Sequence, residues 1–121
     1  MAKSENLILT KSFDFAIEIL KLYKILKENK EFDLARQVLK AGTSIGANVE
    51  EAVGAFSKKD FAAKMGISLK EARETRYWLR VLNTSQVVTH KYDKYLSEIE
   101  SIINILTAIV KTSQGGNKSF D

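Results

Sequence analysis

A chain of 121 residues without a single proline lacks the strongest local breaker of helices, and with it much of the usual punctuation of turns and edge strands. Secondary structure is then decided by the spacing of apolar side chains, and that spacing is helical nearly throughout. From Thr10 to Lys30, Phe13, Ile17, Leu20 and Tyr23 recur every three or four positions, and Phe15, Ile19, Leu22 and Leu26 form a second stripe beside them. Together they make an apolar arc wider than one neighbouring helix requires. Such a helix is either central in its fold or shared with another molecule.

A second helix is expected from about Glu31 to Phe56, with Val38, Ile45, Val49, Ala52 and Phe56 on one side. Its middle is crowded with small residues: Ala41, Gly42, Thr43, Ser44, Gly46 and Ala47. Glycine inside a helix costs roughly 1 kcal/mol against alanine, so close approach by a neighbouring backbone is the expected reason for it. Ser57-Lys58-Lys59-Asp60 reads as a capping box opening a third helix, which turns Phe61, Met65, Ala72, Leu79 and Leu82 inward and ends near Asn83-Thr84-Ser85. Thr89 is the expected cap of a fourth, with Tyr92, Leu96, Ile99, Ile103, Leu106 and Val110 as its stripe. Gly115-Gly116 should end it. Helices of about 20 to 26 residues span roughly 30 to 40 Å, and short connections between them favour antiparallel neighbours. The fold class expected is therefore all-α: an antiparallel, up-down-up-down four-helix bundle. It would form one domain over residues 1–121, with a core from about 10 to 112 and a flexible tail over 113–121.

Composition narrows the function classes. With no cysteine there is neither disulfide framework nor thiol chemistry. No apolar run approaches the roughly 18 residues of a membrane span, and Leu7-Ile8-Leu9 is too short for the core of a signal peptide; a cytoplasmic protein without membrane contact is expected. A two-metal carboxylate site in such a bundle needs a Glu-x-x-His pair from each of two helices, and the one histidine, His90, lies in a connection, where it reads as a solvated turn residue. No phosphate-cradling glycine loop or nucleophile–base motif is present. The expectation is a protein that is not an enzyme, with no catalytic residue, metal site or cofactor.

Two features rise above this background. Ser44, Asn48 and Glu51 follow one line along the second helix, and Glu71 and Glu74, with Ile67 and Trp78, a comparable line on the third. Polar groups bordering a core need partners, each unmade bond costing about 1 to 3 kcal/mol. A structural network with Arg73 or Arg76 is the plainer reading; a ligand or partner pocket, or a site for a small ligand or metal on Glu51, Glu71 and Glu74, is the alternative. The second feature is charge. The third helix holds Lys58, Lys59, Lys64, Lys70, Arg73, Arg76 and Arg80 against Asp60, Glu71 and Glu74, a surplus equal to the net +4 of the whole chain. Lys59, Lys70, Arg73, Tyr77 and Arg80 fall on one side of it. Guanidinium groups with an interleaved aromatic suit phosphates and unpaired bases, although a charged helical face is more often simply solvated.

The run Ser44-Ile45-Gly46-Ala47-Asn48-Val49-Glu50-Glu51-Ala52 resembles the signature of the bacterial four-helix-bundle proteins encoded within intervening sequences of 23S ribosomal RNA genes. So does its continuation, Asp60-Phe61, Lys64-Met65, Ile67 through Leu79, and Leu82. Ala52 departs mildly, since glycine often follows the glutamate there in that family. The resemblance spans about Phe13 to Val110. It implies a four-helix protomer that assembles into a ring, with pentamers seen among relatives, and no established enzyme activity. It also links the chain to accessory proteins of diversity-generating retroelements, which work with RNA and a reverse transcriptase. The expected function is thus a homo-oligomer that binds nucleic acid, structured RNA foremost, through Lys59, Lys70, Arg73 and Arg80, with Tyr77 stacking. The rival is a scaffold that docks a protein partner.

Overall fold

The computed structural model describes residues 3–118. Four helices follow one another: α1 (Lys3–Glu28), α2 (Phe32–Val53), α3 (Lys58–Ser85) and α4 (Asp93–Lys118), and no strand occurs among the described residues. The fold is all-α, with bundle-like packing. α2 lies between α1 and α3, α3 packs on α4, and α1 closes against α4 along the loosest of the four seams.

α1 begins earlier than the spacing from Thr10 suggests, because Ile8 and Ser12 extend the buried line of Phe15, Ile19, Leu22 and Leu26 by two turns. It ends at Glu28 in a Schellman arrangement. Lys30 takes a left-handed φ of 63°, its N–H bonds the carbonyl of Lys27 at 2.9 Å, and the N–H of Glu31 reaches back to Leu26 at 3.0 Å.

α2 stops at Val53, where the N–H of Gly54 bonds the carbonyl of Glu50 at 3.2 Å and the N–H of Ala55 that of Ala52 at 3.0 Å. The expected continuation to Phe56 is therefore corrected: Phe56 lies in the connection, fully exposed, while Val38, Ile45, Val49 and Ala52 are buried as the spacing requires. Ser57 is extended (φ −141°, ψ 158°) and its Oγ accepts the N–H of Asp60 at 3.0 Å, capping α3 as read from the sequence.

The two glycines of α2 mark its closest approach to α1. A Cβ on Gly42 would stand 2.8 Å from both γ carbons of Ile19, and one on Gly46 would stand 3.3 Å from the backbone oxygen of Ser12. On the other side of α2, the buried hydroxyl of Ser68 donates to the carbonyl of Ile45 at 2.8 Å.

Thr89 does not cap α4. The chain leaves α3 through Gln86 in a left-handed conformation (φ 50°) and enters α4 only at Asp93. The cause is Tyr92, whose ring is fully buried and whose hydroxyl donates to the carbonyl of Val88 at 2.8 Å; the segment must first seat this side chain before a helix can start. α4 also continues past Gly115-Gly116 to Lys118, so residues 113–118 of the expected tail are helical, and residues 119–121 lie outside the described ones. Tyr92, Ile99, Ile103 and Leu106 are buried, joined by Ile102 and Ile109, with Leu96 and Val110 packed at the margin.

Candidate nucleic-acid interface

α3 places its residues by a simple rule. Met65, Ser68, Leu69, Ala72, Thr75, Leu79 and Leu82 are buried, so residues half a turn away must face outward. Lys59, Lys70, Arg73, Tyr77 and Arg80 are all exposed on that outer side. The cations at its edges are already engaged. Lys64 Nζ bonds Glu51 Oε1 of α2 at 2.9 Å, and this bond, with the Glu51 charge, raises the Lys64 pKa above its ordinary value. Arg76 Nη1 bonds both carboxylate oxygens of Glu100 in α4, at 2.8 and 3.2 Å. Among the described residues, Lys59, Lys70, Arg73 and Arg80 have no carboxylate within ion-pair distance. Four cations are thus left facing solvent along one ridge.

Tyr77 stands within this ridge, 57% exposed, its ring braced edge-on against Trp78 at 5.2 Å between centroids. On its C-terminal side a shallow depression is lined by Tyr77, Arg80, Val81, Thr84 and Ser85. Sequence spacing places Tyr77 among the cations but gives no sign of the hollow beside it. Trp78 itself is partly buried, and its Nε1 has no hydrogen-bond partner.

The polar line resolves into separate local bonds. Ser44 Oγ donates to the carbonyl of Lys40 at 2.6 Å and Asn48 Nδ2 to that of Ser44 at 2.8 Å. Glu51 pairs with Lys64, not with Arg73 or Arg76. Glu71 is half-buried and Glu74 exposed; among the described residues neither carboxylate is hydrogen-bonded, and no group of three acidic, histidine or cysteine side chains is placed to hold a metal ion. The structure therefore does not assemble Ser44, Asn48, Glu51, Glu71 and Glu74 into the single network the sequence suggests. Their partners depend on how neighbouring helices are offset, which spacing within one helix does not reveal. His90 also differs from expectation: its ring packs against Tyr92 at 5.4 Å and Tyr95 at 6.1 Å, and it is only partly exposed.

Two further surfaces emerge. On α1, the stripe formed by Phe13 (61% exposed), Ile17 (42%) and Leu20 (51%) is left open, and its companion stripe is the buried one. At the α1–α4 seam, Asp14, Phe15, Glu18, Lys94, Tyr95 and Glu98 line a hollow of about 180 Å³. Burial, with the charge of Glu18, pushes the Tyr95 hydroxyl above its ordinary pKa. This hollow joins helices far apart in sequence, so no local pattern announces it.

These features define a class: small all-helical proteins with a cationic ridge on one helix and an uncovered apolar stripe on another. The chain belongs to the 23S rRNA-intervening sequence protein family, whose model matches residues 4–108. The crystal structure of a protein of unknown function from the S23 ribosomal protein family of Bacteroides thetaiotaomicron is similar to it. The TM-score is 0.84 at 43% sequence identity, and the match covers 89% of this chain and 98% of that one. No curated protein matches the chain in sequence. No helix among the described residues is long and apolar enough to cross a membrane.

Proposed function

We propose that the protein is a non-catalytic homo-oligomer that binds nucleic acid, structured RNA foremost, through the outer face of α3. The observation that carries this reading is the division of labour among the α3 cations. Lys64 and Arg76 are spent on neighbouring helices, while Lys59, Lys70, Arg73 and Arg80 face outward around an exposed tyrosine. Localised positive charge of this kind is the usual footprint of phosphate contact, and membership of a family named for sequences within ribosomal RNA genes is in keeping with it.

The protomer is read as an up-down-up-down bundle. Cross-helix partners support this, because they run in opposite order: Ser68 bonds Ile45, while the earlier Lys64 bonds the later Glu51. The homo-oligomer is read from the open stripe on α1, since apolar surface of more than a few hundred Å² is rarely left uncovered on a monomer. A ring satisfies such a stripe on every copy at once.

The test is the salt dependence of RNA binding. Neutralising four phosphates gives a slope of log affinity against log salt near −3 to −4. Affinity that stays flat between about 50 and 200 mM salt rejects the reading.

A further inference from the structure

The outer face of α3 is not a uniform ridge of charge. Three of its four free cations, Lys59, Lys70 and Arg73, precede Tyr77, and the fourth, Arg80, follows it by one turn. Side chains on a helix lean towards its N-terminus, so Arg73 and Arg80 bracket the tyrosine along the axis. The depression beyond the ring is lined by Arg80 as a cation, Val81 as an apolar side chain, and the hydroxyls of Thr84 and Ser85, of which Ser85 Oγ also accepts the N–H of Val87 at 3.4 Å. Its volume is about 400 Å³, and it lies open to solvent.

A duplex would make little use of this arrangement. Its bases are stacked on one another, and a phosphate ladder needs only the cations. An unpaired base uses all of it: a flat aromatic wall, a guanidinium for the adjoining phosphate, and hydroxyls for a base edge. Trp78 holds the wall upright from its edge, so the ring is partly ordered before a base arrives, which lowers the entropy cost of binding.

We propose that the depression formed by Tyr77, Arg80, Val81, Thr84 and Ser85 is a seat for one unpaired RNA nucleotide, so that the protein selects single-stranded or looped segments over continuous duplex. This inference rests on the reading of α3 as a nucleic-acid interface and gives it a substrate class. Tyr77 supplies the stacking surface, and Arg80 and Arg73 take the phosphates on either side.

The test compares a short unstructured RNA with a blunt RNA duplex of the same length, the single strand carrying one 2-aminopurine as a stacking reporter. The full-length protein is expected to bind the single strand more tightly and to quench the reporter. Tyr77→Ala should lower single-strand affinity roughly 10- to 100-fold, the scale of one lost base–aromatic stack, and abolish the quench. Tyr77→Phe should keep both, and circular dichroism should show both variants folded, since the side chain is mostly exposed. Equal affinity for the duplex, or an unchanged Tyr77→Ala variant alongside a loss on Lys70→Glu, overturns the nucleotide seat while leaving the basic face standing. Salt-independent binding, or none, overturns both together.

Discussion

Arg76 and Glu100 are joined across the α3–α4 seam by two hydrogen bonds, at 2.8 and 3.2 Å, with both side chains partly exposed. Arg73 lies three residues earlier on the same helix, yet among the described residues it has no such partner. Two arginines of identical chemistry therefore have different tasks. Arg76 ties two helices together. Arg73 is available to an incoming anion.

That contrast sets the first prediction. Arg76→Ala should lower stability by about 1 kcal/mol or less, as expected for a partly exposed pair, and leave RNA affinity nearly unchanged. Arg73→Glu should leave the thermal midpoint almost untouched and weaken RNA binding several-fold, with a shallower salt slope. Filter binding and thermal melts of the two variants check this together; equal effects of both on affinity would contradict it.

The open stripe of α1 sets the second. Scattering should report the native protein at a multiple of the 13.6 kDa chain mass. The double variant Ile17→Lys, Leu20→Lys should shift it towards a single copy without loss of helix, because neither side chain is buried within the protomer. A native protein that is already monomeric at micromolar concentration removes the homo-oligomer.

Gly42→Ala should destabilise by about 1 to 3 kcal/mol. The added methyl would meet Ile19 at 2.8 Å, and a β-branched side chain has few alternative rotamers. The better helix propensity of alanine, about 1 kcal/mol, offsets only part of the strain. Urea unfolding measures the difference, and a variant as stable as the parent would show that α1 and α2 can separate freely.

Alkali should weaken the fold through Tyr92. Burial, with the nearby Tyr95 adding to it, raises the Tyr92 pKa above its ordinary value of 10.0. The folded state therefore holds the proton more tightly than the unfolded chain. The stability this provides is complete below the unfolded pKa and is lost as pH rises through the folded one. Tyr92→Phe gives up the bond to Val88, roughly 1 to 3 kcal/mol with the carbonyl left unsatisfied, but escapes this titration. The gap between parent and variant should stay constant up to about pH 9 and narrow as pH rises past about 10; a gap that is constant throughout would refute it.

The sequence made some of this legible and hid the rest for definable reasons. The stripe Phe15, Ile19, Leu22, Leu26 and the cap at Ser57 were readable because both depend on spacing within a few residues. The small residues around Gly42 and Gly46 announced a close neighbour, though not which one. Spacing also gave α1 two apolar stripes without saying which would be covered, since that depends on where α2 docks. Thr89 looked like a cap, but a buried tyrosine three residues later overrode it. Phe56 fitted the α2 pattern, yet Gly54 ends the helix first. For α3, periodicity correctly put Lys59, Lys70, Arg73, Tyr77 and Arg80 on an exposed side. It could not show that Lys64 and Arg76 are committed elsewhere, because Glu51 and Glu100 belong to other helices.

The loose closure between α1 and α4 has a consequence for how the molecule breathes. α2 is gripped from both sides, by α1 at its glycines and by α3 through Ser68, so its amides should resist exchange until the whole protein unfolds. The circuit of helices should give way first where its opening and closing members meet, around Phe15 and Tyr95, because that seam is the most sparsely packed. Thermal motion would then widen a doorway between the two outermost helices while the opposite wall stays shut.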